Sequence, residues 1–202
     1  MYVPDEFSVK DTAKIDAFIA ANHFISLVTA NGDFPIATHI PVLAKKVNEK
    51  WFLEGHLALA NEQSKAILSC SNALCIVLGP DAYISSSLYS HENVPTWNYQ
   101  SVHLSGKLSP LNDTELDHHL AEIVGFFEKT RENPLEFDHF SIEMMDSYKK
   151  EILGFQFETV KLEVAFKLSQ NRNLVDQAAI VQDLQKCPFE SAKRVADAMK
   201  NK

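Results

Sequence analysis

The chain has 202 residues, 46% hydrophobic and 23% charged, with a formal net charge of −8. That composition excludes disorder and supplies a core that needs neither metal nor disulfide staples. The acidic balance argues against a broad basic surface for nucleic acid.

Asp11 predicts the N-cap of a helix over 11–22, with Ile15, Phe18 and Ile19 on one face. Residues 24–29 are rich in strand formers and run into Asn31-Gly32, a hairpin signal. Extended structure resumes over 34–43, where Pro35 and Pro41 indicate an edge or an irregular strand. Residues 51–55 pair with it across a polar turn at 45–50. A short helix over 61–69 takes Asn61 as its N-cap. Residues 73–78 form a buried strand that Gly79-Pro80 ends. After a polar loop at 85–93, residues 97–107 return to strand character.

The best helix spans 112–131, with Asn112 and Glu115 as a capping box and a stripe of Leu116, Leu120, Ile123, Val124 and Phe127. A weaker helix covers about 140–149. Over 152–168 the apolar residues occupy odd positions (Leu153, Phe155, Phe157) and then even ones (Val160, Leu162, Val164, Phe166, Leu168). A period of two changes phase only through an extra residue, which predicts a bulge or a sharp bend near Glu158-Thr159. Two terminal helices follow, over 174–185 and 190–199. The pattern is α+β: six or seven antiparallel strands closing a barrel, in a single domain over 1–202. A helical insertion occupies about 112–150, and the terminal helices about 174–200.

The opening Met1-Tyr-Val-Pro has no secretory-signal pattern, and the longest apolar runs fall far short of a membrane span. Cys70, Cys75 and Cys187 lack metal-type spacing and read as free thiols, so a cytoplasmic location is expected. His118 and His119 are adjacent and point about 100° apart on a helix, unlike a metal pair. No nucleophile elbow, P-loop or dinucleotide fingerprint is present.

Four segments could carry chemistry. Ala37-Thr-His-Ile-Pro41 puts a hydroxyl and an imidazole on one strand, as a polar ligand wall or a half-solvated edge would. In 55–65, a helix capped by Asn61 with Lys65 a turn later is either a phosphate site or an ordinary surface helix. Trp97, Asn98 and Tyr99 beside the serines of 85–87 suit a planar ligand or a packed loop. Lys167-Leu-Ser-Gln-Asn-Arg172 presents Gln170 and Arg172 at a barrel rim, or simply turns the chain.

Taken in order, Met1-Tyr-Val-Pro, Ala37-Thr-His-Ile-Pro, Gly79-Pro-Asp-Ala-Tyr-Ile-Ser, Val94-Pro-Thr-Trp-Asn-Tyr and Lys167-Leu-Ser-Gln-Asn-Arg resemble the PaiB-like family of FMN-binding negative transcriptional regulators. The resemblance implies a split β-barrel similar to pyridoxamine-phosphate oxidases and flavin reductases. It implies a homodimer with FMN in clefts where two barrels meet. Thr38 and His39 would then lie along the flavin, and His56, Asn61 and Lys65 near its phosphate or ribityl chain. Trp97, Asn98, Gln170 and Arg172 would complete the pocket, some from the other subunit. The chain departs from the family at Leu88, where a Trp is common, at Asp81, where a His is common, and at Glu62, where a Pro is common.

The expected function is that of an FMN-binding regulator. An FMN-dependent oxidoreductase is the alternative, and a haem-binding split barrel with His23, His56 or His103 as axial ligand comes third. Direct DNA contact would fall to residues 190–202, where four cations face two acids. There Ala192, Val195, Ala196 and Met199 read instead as the packing stripe of a capping helix.

Overall fold

The computed structural model describes residues 1–31, 34–69 and 71–201. Six antiparallel strands follow the order β1-β2-β3-β6-β5-β4 and close into a barrel. They are β1 (Phe24–Asn31), β2 (Phe34–Val47), β3 (Lys50–Ala58), β4 (Asn72–Ile84), β5 (Thr96–Pro110) and β6 (Ile152–Lys167). The helices are α1 (Thr12–Ala21), α2 (Ser64–Leu68), α3 (Asp113–Glu128), α4 (Ile142–Lys149), α5 (Leu174–Lys186) and α6 (Glu190–Lys200). The α+β reading and the antiparallel barrel with flanking helices hold.

The chain divides into two compact units. One comprises Met1–Asn22, Val77–His103 and Glu163–Lys202, and the other His23–Ile76 and Leu104–Leu162. In the second unit, Ile25, Leu27 and Thr29 of β1 are buried, as are Leu53 and Leu57 of β3 and Phe155 and Phe157 of β6. Their period of two is the signature of strands with one face on a core. In the first unit, Asp11 caps α1 by accepting from the amides of Ala13 and Lys14. Phe18 of α1 packs on Phe166, and Ala192, Val195, Ala196 and Met199 of α6 are buried, as the stripe predicted.

The local signals with a backbone partner nearby were the reliable ones. Asn112 and Glu115 form the reciprocal capping box that opens α3. β1 and β2 pair through Asn31↔Phe34, although the Asn31-Gly32 turn itself lies outside the described residues, as does Cys70. The turn after β2 is tight, with Asn48 and Glu49 at φ 49° and 63°. Pro35 and Pro41 sit in the half of β2 that registers only with β1, because pairing to β3 starts at Val42. A missing N–H on the open side breaks no ladder.

Three expectations are corrected. β4 does not stop at Gly79-Pro80 but continues to Ile84. At Gly79 the strand lies so close to Phe18 that a Cβ would meet the ring at 2.6 Å, so this glycine serves packing rather than a turn. In β6 the inward phase runs on through Thr159, while Val160 and Leu162 are exposed and Val164, Ala165 and Phe166 are buried in succession. The phase change therefore falls at 160–164, beyond the last residue registered with β3, Glu158. Finally, α2 is a five-residue helix starting at Ser64, and Asn61 is not its cap.

Candidate functional site

In the unit of β1–β3, the loop after β3 is tied down by two amides. Asn61 donates from Nδ2 to Thr38 Oγ1 (3.0 Å) and accepts at Oδ1 from the Gln63 amide (2.9 Å). Gln63 is fully buried, and its Nε2 reaches the carbonyl of Leu27, Thr29 Oγ1 and the carbonyl of Ile36 at 3.0–3.1 Å. Its Oε1 is buried with no partner among the described residues. The loop is thereby pinned to β1 and to the open half of β2. Lys65, exposed, is thus held over a small cleft of about 120 Å³ with Thr29, Glu62, Ser69 and Ser71. The site is built by these side chains and not by a helix terminus.

Thr38 and His39 are consecutive on β2, so their side chains take opposite faces. Thr38 shares the inward face with Leu27, its register partner. His39 lies outward, with Nδ1 2.9 Å from Ser26 Oγ and its ring beside Phe24. His56 turns elsewhere: its Nδ1 is 3.1 Å from Nε2 of His119 on α3. Burial holds the His56 imidazole below its ordinary pKa. Beside this pair, Lys45 Nζ bridges Glu122 (2.5 Å) and Glu54 (3.5 Å). The structure thus brings Thr38, Asn61 and Lys65 to one loop, and binds His56 to α3.

The other four expected residues lie in the first unit. Trp97 is about half exposed and meets the edge of Tyr83 at 6.0 Å. Asn98 is fully buried; it exchanges hydrogen bonds of 2.9 and 3.1 Å with Ser169 and reaches Met199 Sδ. Gln170 folds onto its own turn, accepting from the Leu168 amide and donating to the Phe166 carbonyl. Arg172 lies over the Tyr89 ring at 4.8 Å. The amides of Asn98 and Gln170 are therefore spent on scaffold, while Trp97 and Arg172 keep groups free to meet a ligand. Asp81 is held through its backbone, which exchanges hydrogen bonds with Ser191 of α6.

Two residues escaped the sequence reading. Gln63 gave no signal, since its three acceptors come from other strands. His119 had one: it stands three residues after Leu116, on the buried stripe of α3. Of the imidazoles considered as axial ligands, His23 packs edge-on against Phe126 and Phe127, and burial lowers its pKa. Among the described residues no group of three metal-ligating side chains gathers.

The donor set on the pinned loop suits a phosphorylated, hydroxyl-bearing ligand. Lys65 lines the cleft with Ser69 and Ser71, whose hydroxyls bond each other at 2.7 Å, and with Glu62, while Asn61 of the same loop holds the Thr38 hydroxyl. Comparison with known proteins points the same way. Residues 1–161 match the family described as "Putative FMN-binding domain". The chain is 40% identical over 202 residues to "Protease synthase and sporulation protein PAI 2" of Bacillus subtilis, covering all of this chain and 98% of that one. Among solved structures, the FAD and heme binding protein from Mycobacterium smegmatis superposes with a TM-score of 0.62 at 13% identity, over 85% of this chain and 78% of that one. The flavocytochrome Anf3 from Azotobacter vinelandii gives 0.55 at 12% identity, over 79% and 69%. At such identities these structures speak for the fold alone, a barrel built for the same layout of strands. Domain match and full-length relative together assign the rest: the chain belongs to the PaiB-like family of FMN-binding proteins.

Proposed function

We propose that this protein is a cytoplasmic, homodimeric FMN-binding regulator that holds the flavin phosphate at Lys65, Ser69 and Ser71. The ribityl chain would run past Thr38 and Asn61, and the ring system along the open half of β2 near His39. The observation that carries this reading is the pinning of the loop by Asn61 and Gln63, with Lys65 in a cleft beside Ser69 and Ser71. When bound, FMN supplies reversible one- and two-electron transfer. The chain's own part is to orient it and to neutralise its phosphate.

The outward face of β1 and β2 supports a second copy as the cover. Phe24 is 67% exposed there, and Phe34, of the opposite phase at the start of β2, is 78% exposed; both are apolar surface that a lone barrel leaves in water. No helix among the described residues is long and apolar enough to cross a membrane. The α6 surface does not favour direct DNA contact, because Lys193 and Lys200 pair with Glu190 and Asp197 and the opposite face is buried.

Titration of the purified protein with FMN and with riboflavin tests the reading. The flavin bands should persist through desalting, and Lys65→Ala should weaken FMN at least about tenfold, as loss of a charge-assisted hydrogen bond does. Riboflavin, lacking the phosphate, should be unaffected by that change. Equal losses for both ligands, or no flavin retained, would refute the phosphate site. A monomer by sedimentation at micromolar concentration with flavin bound would refute the shared cleft.

A further inference from the structure

In the unit of Met1–Asn22, Val77–His103 and Glu163–Lys202, a cavity of about 540 Å³ opens among the N-terminal segment, α1, the end of β6 and α6. That is the size of a small-molecule site rather than of a packing flaw. On α1, Lys14, Ala17 and Phe18 share the face that lines it, through their three- and four-residue spacing. Ala198 lines it from α6, and the two alanines leave the space that longer side chains would fill. Phe18 and Phe166 make an aromatic wall, their ring centroids 4.9 Å apart and their planes tilted by 53°. A Cβ at Gly79 would meet the Phe18 ring at 2.6 Å, so the ring has no room to retreat and the wall stands preformed. Val9 and Leu168 extend the apolar surface.

Two ammonium groups border the same cavity. Lys10 and Lys14 line it, and neither makes an ion pair among the described residues. The acids that border it are engaged. Asp11 accepts from the amides of Ala13 and Lys14, and Glu6 accepts from Asn171. The charge left to meet a ligand is therefore positive, beside an apolar wall. A wall of two tilted rings favours a flat aromatic body, and unpaired ammoniums favour a carboxylate.

We propose that this cavity is a binding site for a small aromatic carboxylate, its ring against Phe18 and Phe166 and its carboxylate at Lys10 and Lys14. Such a site gives the protein a second ligand besides its flavin. It does not depend on the flavin reading, because Thr38, Asn61 and Lys65 belong to the other unit. Of the residues that the family resemblance places at the flavin, only Gln170 borders the cavity, and its amide is spent on its own turn.

Nuclear magnetic resonance on the full-length protein, with and without FMN, tests this. The methyl signals of Val9, Ala17, Leu168 and Ala198 are followed during titration with 2-naphthoate and, separately, with 2-naphthamide and octanoate. Naphthoate should shift them with one saturating midpoint, the same in both states of the protein. Naphthamide, flat but uncharged, and octanoate, charged but not flat, should bind more weakly. Replacing both lysines, Lys10→Gln with Lys14→Gln, should raise the naphthoate midpoint at least about tenfold, as loss of charge-assisted hydrogen bonds does, and leave the naphthamide midpoint and FMN affinity unchanged. Ala17→Trp, which fills the cavity, should abolish the shifts of the remaining methyls and spare FMN; two variants guard against one that fails to fold. Shifts that never saturate overturn the proposal, as does naphthamide or octanoate binding as tightly as naphthoate. Competition between FMN and naphthoate also overturns it, because the cavity would then be part of the flavin cleft. So does an Ala17→Trp protein with an altered oligomeric state, which would give the cavity to a second copy.

Discussion

His56 Nδ1 and His119 Nε2 lie 3.1 Å apart, and the His119 ring is wholly buried between β3 and α3. One ring donates and the other accepts, so the pair is bound in its neutral form. The far nitrogen of His119, Nδ1, is buried with no partner among the described residues. A proton there would be opposed by burial first and by His56 second, with Lys45 adding to the opposition. Glu54 and Glu122 favour it but do not prevail, and the His119 pKa falls to about 4. Exposed His118, 3.3 Å from Glu122, lies outside this pair.

The consequence is an acid limit on stability. In the unfolded chain His119 titrates near 6.5, and in the folded chain near 4. The unfolded state therefore binds more protons between those values, and folding stability falls as pH drops from about 6.5 towards 4. For one group the loss is on the order of 3 kcal/mol. His56, depressed by burial, adds to it in the same direction. Chemical denaturation measured across that range should show the slope, and His119→Gln, which keeps a hydrogen-bonding group of similar size, should flatten it. An unchanged slope in the variant would place the acid sensitivity elsewhere.

What could be read from the chain and what could not divides along one line. Features closed by neighbours in sequence were legible: the Asp11 cap, the Asn112–Glu115 box, the α6 stripe. Features closed by a distant strand were not. Asn61 shows why, because an asparagine before a short helix gives the same local pattern whether it caps that helix or, as here, ties its loop to Thr38. Gly79-Pro80 misled in the same way, since both residues usually end strands and only the ring of Phe18 explains why this one continues. Around the loop after β3, Thr38, Asn61 and Lys65 stood out in the sequence, while Gln63, which pins that loop, was invisible.

Gln63 therefore provides a test of the loop. Gln63→Leu keeps the volume but leaves the Leu27 carbonyl, Thr29 hydroxyl and Ile36 carbonyl without their donor. It should cost about 2–4 kcal/mol by urea denaturation and weaken FMN as well, because the loop carrying Lys65 is no longer pinned. Lys65→Ala, on an exposed residue, should change stability by less than about 0.5 kcal/mol. Equal stability of the two variants would remove Gln63 from this role.

Gly106 tests the closeness of β5 to β6. A Cβ built at this position would sit 2.0 Å from the Glu158 carbonyl oxygen and 2.7 Å from the Phe157 ring. Backbone cannot swing aside as a side chain can, so Gly106→Ala must spread the two strands or distort one. A loss of roughly 2–4 kcal/mol is expected, read as a lowered Tm. Gly125→Ala, with open space around the added methyl, is the matched control and should stabilise α3 slightly. A Gly106→Ala protein as stable as the parent would mean that the strands part easily there.

Asn98 separates the scaffold from the pocket most sharply. The family resemblance puts it against the flavin, yet its amide is fully buried and exchanges hydrogen bonds with Ser169, a residue held at φ 55°. That left-handed conformation is unfavourable for a serine, and the amide of Asn98 helps hold it. Asn98→Ala should leave Ser169 and the Met199 sulfur facing a gap and destabilise the protein by about 2–3 kcal/mol. At a temperature where the variant is still folded, its FMN affinity should match the parent's. An Asn98→Ala protein with normal Tm and weakened FMN would reverse that assignment and make the amide a direct flavin contact. The two roles predict opposite outcomes in both measurements, taken on the same variant.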